Sequence, residues 1–241
     1  MPAPTVTSSD GVSTSSPVNV AVSGVSASDF LVLVISKANT GTLSAPSGFG
    51  AGSWSAFRNW QVESGATRLY VYTLTGVSGA GNVTITTGGA AGGFHYTLYI
   101  IKNLNTATIA AYTESTWYAI NGTVQTTPAE ANTPINTDEG PASIGCNIDQ
   151  VALFLVVSNA PAQAHVFPSN PTPASGWTSI DRINTGAGNP HACAYLISGS
   201  VQSVQANYRD TVGNTKMGTV MLVTGTATPP PSGFEGWGMA I

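Results

Sequence analysis

The chain repeats itself. Asp29-Phe30-Leu31-Val32-Leu33-Val34-Ile35-Ser36 has a counterpart in Asp149-Gln150-Val151-Ala152-Leu153-Phe154-Leu155-Val156-Val157-Ser158. Downstream, Ala45-Pro46-Ser47-Gly48-Phe49 is answered by Thr172-Pro173-Ala174-Ser175-Gly176-Trp177. Arg68-Leu69-Tyr70-Val71-Tyr72-Thr73-Leu74 is answered by His191-Ala192-Cys193-Ala194-Tyr195-Leu196-Ile197, and Tyr96-Thr97-Leu98-Tyr99-Ile100-Ile101 by Gly218-Thr219-Val220-Met221-Leu222-Val223. Aligning Asp29 with Asp149, Gly48 with Gly176, Tyr72 with Tyr195 and Leu98 with Val220 gives separations between 120 and 128 residues. Four landmarks in one order require that both stretches adopt the same kind of unit.

The unit is made of strands. Residues 18–22, 30–36, 68–74, 83–86 and 95–101 are apolar or alternating runs of strand length, as are 151–158, 192–197, 201–208 and 217–223. Gly, Ser, Asn and Pro clusters such as Gly79-Ala80-Gly81-Asn82 and Gly186-Ala187-Gly188-Asn189 bound them. No segment carries a helical period with caps, and 27 glycines and 15 prolines break helices widely. The runs from Phe30 and from Val151 are apolar on both faces, as central strands covered on both sides would be. The Pro-x-Gly-aromatic turns offer a glycine for positive φ and an aromatic, Phe49 or Trp177, to close the end of a core. The fold expected is an all-β, antiparallel, jelly-roll-like sandwich built from two related halves. They run over 1–104 and 148–227, with an extended crossover over 105–147 and a Pro-rich tail over 228–241.

Charge narrows the partners. Charged residues are 7% of the chain, against roughly 25% in an ordinary soluble domain. The polar surface must then consist of Thr, Ser, Asn and Gln, which can be covered by a partner without desolvating ions. Seven Lys and Arg and a net charge of −4 cannot build a phosphate-tracking groove, so nucleic acid is not an expected partner. No apolar run approaches the roughly 18 residues that cross a bilayer, so no membrane insertion is expected. Met1-Pro2-Ala3-Pro4-Thr5 has neither a basic nor an apolar leader region, so a chain made in the cytoplasm without a secretory signal is expected.

The chemical search is mostly negative. His95, His165 and His191 have no metal-ligand spacing, and Cys146 and Cys193 stand alone; no metal or other cofactor is expected. The histidines read as packing or surface residues. No Gly-x-Ser-x-Gly elbow occurs. Folding could bring together a carboxylate pair from Glu63, Glu114, Asp149, Asp181 or Asp210, the requirement for glycan cleavage. Trp54, Trp60, Trp117 and Tyr118 are candidates for stacking on glycan, against the plainer alternative of core or interface packing. In the tail, Phe234, Trp237, Met239 and Ile241 follow Pro229-Pro230-Pro231 as glycine-spaced apolar groups, a pattern that fits docking into a partner.

The order of the Asp29-Phe30-Leu31-Val32-Leu33-Val34 strand, Ala45-Pro46-Ser47-Gly48-Phe49, Thr67-Arg68-Leu69-Tyr70-Val71-Tyr72 and the closing Tyr96-Thr97-Leu98-Tyr99-Ile100-Ile101 resembles jelly-roll virion proteins of tailed bacteriophages. These are of the tail-appendage, receptor-binding or head-decoration type. The resemblance covers residues 18–104 and recurs more loosely over 148–225. It implies a structural, non-enzymatic subunit on the outside of a virion, in contact with other virion proteins and with copies of itself, a trimer being the expected oligomer. A carbohydrate- or host-receptor-binding module is the alternative, and a glycan-cleaving enzyme a third reading.

Overall fold

The computed structural model describes residues 3–38, 41–61, 67–88, 93–120, 123–125, 144–158, 164–165, 177–180, 182–183, 191–204 and 214–226. Among them there is no helix, hence none long and apolar enough to cross a membrane. The chain forms β1 (Thr5–Ser13), β2 (Val18–Val25), β3 (Phe30–Ala38), β4 (Thr42–Leu43), β5 (Ser47–Gly48), β6 (Ser55–Gln61), β7 (Thr67–Leu74), β8 (Gly79–Ile85), β9 (Thr87–Gly88) and β10 (Phe94–Lys102). It continues with β11 (Asn105–Ile120), β12 (Thr123–Gln125), β13 (Ile144–Cys146), β14 (Val151–Ser158), β15 (Ala164–His165), β16 (Thr178–Ile180), β17 (Arg182–Ile183), β18 (His191–Ile197), β19 (Gln202–Val204) and β20 (Asn214–Thr226).

Two large antiparallel sheets carry the fold, one in the order β1-β10-β3-β7-β6 and the other β12-β11-β20-β14-β18-β16. Side chains alternate along a strand, so β3 serves two cores at once. Phe30, Val32 and Val34 point to the second large sheet and meet Val151, Leu153, Leu155 and Val157 of β14. Leu31, Leu33 and Ile35 point the other way, into a core shared with Val20, Val22, Val83 and Ile85 of the small sheet β2-β8-β5. This explains a strand apolar on both faces. Full burial of each such side chain is worth roughly 1.5–3 kcal/mol, so the shared face alone welds the large sheets together.

The sheets obey one plan. β3 lies between β10 and β7, and β14 lies between β20 and β18; β1 flanks β10 as β11 flanks β20, and β6 flanks β7 as β16 flanks β18. Aromatic pairs show how the layers stack. Tyr99 of β10 meets Tyr195 of β18, with centroids 6.2 Å apart, and Phe57 of β6 meets Tyr112 of β11 at 5.7 Å. Each strand thus faces the counterpart of a strand on the opposite flank, so the order runs in opposite senses in the two layers. That is how two copies of one patch pack about a two-fold axis.

The register corrects the sequence alignment by one residue. Val32 is paired with Tyr99 and Thr73, and Leu153 with Met221 and Tyr195; Val32 and Leu153 both face the shared core. The counterpart of Phe30 is therefore Val151, and that of Asp29 is Gln150 rather than Asp149. Likewise Tyr72 corresponds to Ala194 rather than Tyr195, since Tyr72 lies in the outer core and Tyr195 against the shared one. A slip of one residue turns every side chain to the other face, which burial forbids.

The stretch 105–147 also contributes strands. Residues 105–120, expected within an extended crossover, form β11, which is paired with β20 along its length, and 144–146 form β13. Thr-rich sequence with Tyr112, Trp117 and Tyr118 suits a pleated strand, whatever its polarity. At the end of β5, Gly48 adopts φ 76° and a Cβ there would collide with the Asn82 carbonyl oxygen. Phe49 follows it onto the outer core, as the Pro-x-Gly-aromatic pattern predicts.

Candidate functional site

The polar side chains with the most chemistry sit at one end of the shared core. Ser36 continues the inward series of Phe30, Val32 and Val34, and Thr97 and His95 continue that of Tyr99 and Ile101. His191, at the start of β18, projects between them from the opposite sheet. Its Nδ1 lies 2.8 Å from Ser36 Oγ and its Nε2 2.8 Å from Thr97 Oγ1. His95 lies edge-on to it, with centroids 6.1 Å apart. Ser36, Thr67, His95, Thr97 and His191 are all 0% exposed.

A serine on a histidine resembles a nucleophile and its base. Here the second ring nitrogen is occupied by another hydroxyl, and the whole group is closed to solvent. A neutral imidazole donates from one nitrogen and accepts at the other, and a hydroxyl can play either part, so the three side chains satisfy one another. Such bonds are directional where apolar contact is not. The cluster fixes the register of one large sheet on the other.

Farther along the same core Cys193 adjoins Tyr99. Burial, with the thiol beside it, pushes the Tyr99 hydroxyl well above its ordinary pKa. That hydroxyl has no nitrogen or oxygen partner among the described residues; the weak Cys193 sulfur is its polar neighbour. Both cysteines are buried. Cys146 ends β13, where its Sγ donates to Asn147 O at 3.8 Å and burial pushes its thiol up, partly offset by the neighbouring Ser198. No three His, Cys, Asp or Glu side chains converge among the described residues.

The turns leading into the two central strands share one construction. In the first, Ser26 N–H donates to Asp29 Oδ2 at 2.9 Å; in the second, Asn147 N–H donates to Gln150 Oε1 at 2.7 Å. Each acceptor then reaches the neighbouring strand. Asp29 stands 3.9 Å from Lys102 Nζ, whereas Gln150 Nε2 donates to Thr224 Oγ1 at 3.0 Å. The second half thus replaces an ion pair by a neutral hydrogen bond at the same place. Its turn is also laced to the next one by Asp149 N to Ser198 O (2.8 Å) and Ser198 N to Gln150 O (2.9 Å). Ile148 and Val201, on these two turns, are 56% and 74% exposed, the large exposed hydrophobics of the described residues.

The sequence candidates are dispersed. Trp54 is half-buried against the outer core, and its Nε1–H donates to Phe49 O at 3.0 Å. Trp60 falls in β6, and Trp117 and Tyr118 in β11, on opposite large sheets. Phe234, Trp237, Met239 and Ile241 lie outside the described residues, as do Glu63, Asp181 and Asp210. The hydroxyl–histidine cluster was not foreseen. Its only sequence signal is that Ser36, Thr97 and His191 occupy inward positions of strands whose other inward residues are apolar. Compared with known proteins, the chain matches no family model, no curated protein and no solved structure.

Proposed function

We propose that this chain is a structural subunit on the outside of a bacteriophage virion, built as two jelly-roll-like units packed back to back, and that it acts through assembly contacts. The nested pairing of strands carries the reading. A jelly roll is a long hairpin wrapped upon itself, so that outer strands pair with outer and inner with inner. β1 pairs with β10, β2 with β8 and β3 with β7; then β11 with β20, β13 with β19 and β14 with β18. That plan agrees with the resemblance to virion jelly rolls.

The disposition of polar groups supports an assembly role over catalysis. The nucleophile-like Ser36 and the imidazole of His191 are consumed inside the shared core, where no substrate reaches them. The outward residues of β1 and β2 are mostly Thr, Ser, Asn, Ala and Gly, neutral groups that a neighbour can cover at little electrostatic cost. Immunogold labelling and mass spectrometry of purified particles test the role. Antibody against the chain should decorate intact particles, and absence of the chain from particles would refute it. Specific retention on host-surface glycan by the isolated chain, without particle association, would favour the receptor-binding alternative.

A further inference from the structure

We propose that the turns carrying Ile148 and Val201 form a docking site for the C-terminal apolar tail of a second copy of this chain. The proposal rests on the assembly reading but not on the identity of the particle. The two turns are held rigid by the Asp149–Ser198 and Ser198–Gln150 backbone bonds, by Gln202 Nε2 donating to Ser198 Oγ (3.0 Å) and by Ser198 Oγ donating to Ser200 O (2.6 Å). A scaffold fixed this well has no structural need of Ile or Val at its tips. The equivalent turns of the first half make the point. The counterpart of Ile148 is Ala27, and that of Val201, through the Val25–Gly79 and Cys146–Gln202 pairings, is Ser78. The first half carries Ala27 and Ser78 at these places and packs the one valine of its turn, Val77, against the outer core, whereas among the described residues the second half presents two branched apolar side chains to solvent. Exposed apolar groups on a rigid pair of turns mark a contact surface.

The occupant follows from where β20 ends. β20 ends at Thr226, and Thr224 is bonded to Gln150 in the turn that bears Ile148. Fifteen residues follow, with Phe234, Trp237, Met239 and Ile241 as their apolar groups and no basic residue. Among them Pro229-Pro230-Pro231 favours a stiff, extended course and spans about 9 Å at roughly 3.1 Å per residue. A stiff spacer opposes folding back onto the turns of the same copy, so the apolar groups are matched with the turns of a neighbour. The neighbour's matching turns are the complementary surface, and copies exchanging tails receive as many as they give.

Sedimentation velocity over a concentration series of the full chain tests this, with the variants Ile148→Ser/Val201→Ser and Trp237→Ser. Both should keep the wild-type circular dichroism and thermal midpoint, since the altered residues of the turns are solvent-exposed and the counterpart turns carry Ala and Ser. Wild type should self-associate, and each variant should do so about tenfold or more weakly, the loss expected for one buried apolar side chain. Mixing the two variants should restore association, because one supplies intact turns and the other an intact tail. A monomeric wild type, variants that associate like wild type, or a mixture no better than its parts would each overturn the proposal. None of these results touches the particle-labelling test.

Discussion

Replacing His191 by alanine removes one hydrogen-bond partner from each of two hydroxyls buried between the large sheets, Ser36 Oγ and Thr97 Oγ1. A buried polar group left short of a partner costs about 1–3 kcal/mol, and the missing ring leaves a cavity in a close-packed layer. Together these amount to about 3–5 kcal/mol. For a chain of this length, 1 kcal/mol moves the thermal midpoint by roughly 2–4 °C, so a fall of about 6–20 °C is expected. Urea midpoints followed by circular dichroism measure the same loss isothermally. Ser36→Ala and Thr97→Val should each cost about 1–2 kcal/mol. The double-mutant cycle of Ser36→Ala with His191→Ala should show a coupling of about 1 kcal/mol, because the two residues share one bond. If His191→Ala stays within about 1 kcal/mol of wild type, or the coupling vanishes, the cluster does not fix the sheets as described.

Other substitutions probe other parts of the fold. Gly48→Ala should lower the thermal midpoint by several degrees, since φ 76° and the Asn82 carbonyl both oppose a Cβ; Gly52→Ala, at φ 81° with open space around it, should cost about 1 kcal/mol. Equal losses in a thermal-shift assay would mean that the Gly48 approach does not matter. Asp29→Gln with Lys102→Thr installs in the first half the pair that the second half uses. The double variant should be within about 1 kcal/mol of wild type in urea, and more stable than Asp29→Ala; a double variant no better than Asp29→Ala would refute the equivalence of the two turns. Tyr99 is held well above its ordinary pKa by burial, so the unfolded chain gives up that proton first. Its contribution is complete below the unfolded value near 10 and is lost as pH rises through the higher folded value. Tyr99→Phe should flatten the fall in stability above about pH 10 and cost little at neutral pH, where the hydroxyl has only a weak sulfur neighbour. A steeper alkaline fall in the variant would contradict this.

The fold class was legible because it depends on local pattern. Apolar runs of strand length between glycine and proline clusters admit no helix, and the recurrence of four landmarks announced that β3, β7 and β10 would have counterparts in β14, β18 and β20. The strands that escaped notice are instructive. β1 and β6 are edge strands, and β11 flanks its sheet with only a short partner at one end. A strand there needs few apolar side chains, so Thr5–Ser13 and Asn105–Ile120 look like loop in a linear reading. Hydrogen bonds to β10 and β20, not hydrophobicity, make them strands.

What the sequence by itself determined is therefore the alternation, the turn glycine at Gly48 and the existence of two like units, each a consequence of residues close together in the chain. Tertiary structure alone decided the rest. Alignment by composition set Asp29 on Asp149, and only the burial of Val32 and Leu153 on one shared face moved it to Gln150. Ser36, Thr97 and His191 are 155 and 94 residues apart along the chain in their two bonds, and no local pattern joins them. They meet because two sheets, each apolar on the facing side, stack in opposite senses. That stacking is a choice among ways of burying the same surface, which a one-dimensional pattern does not rank.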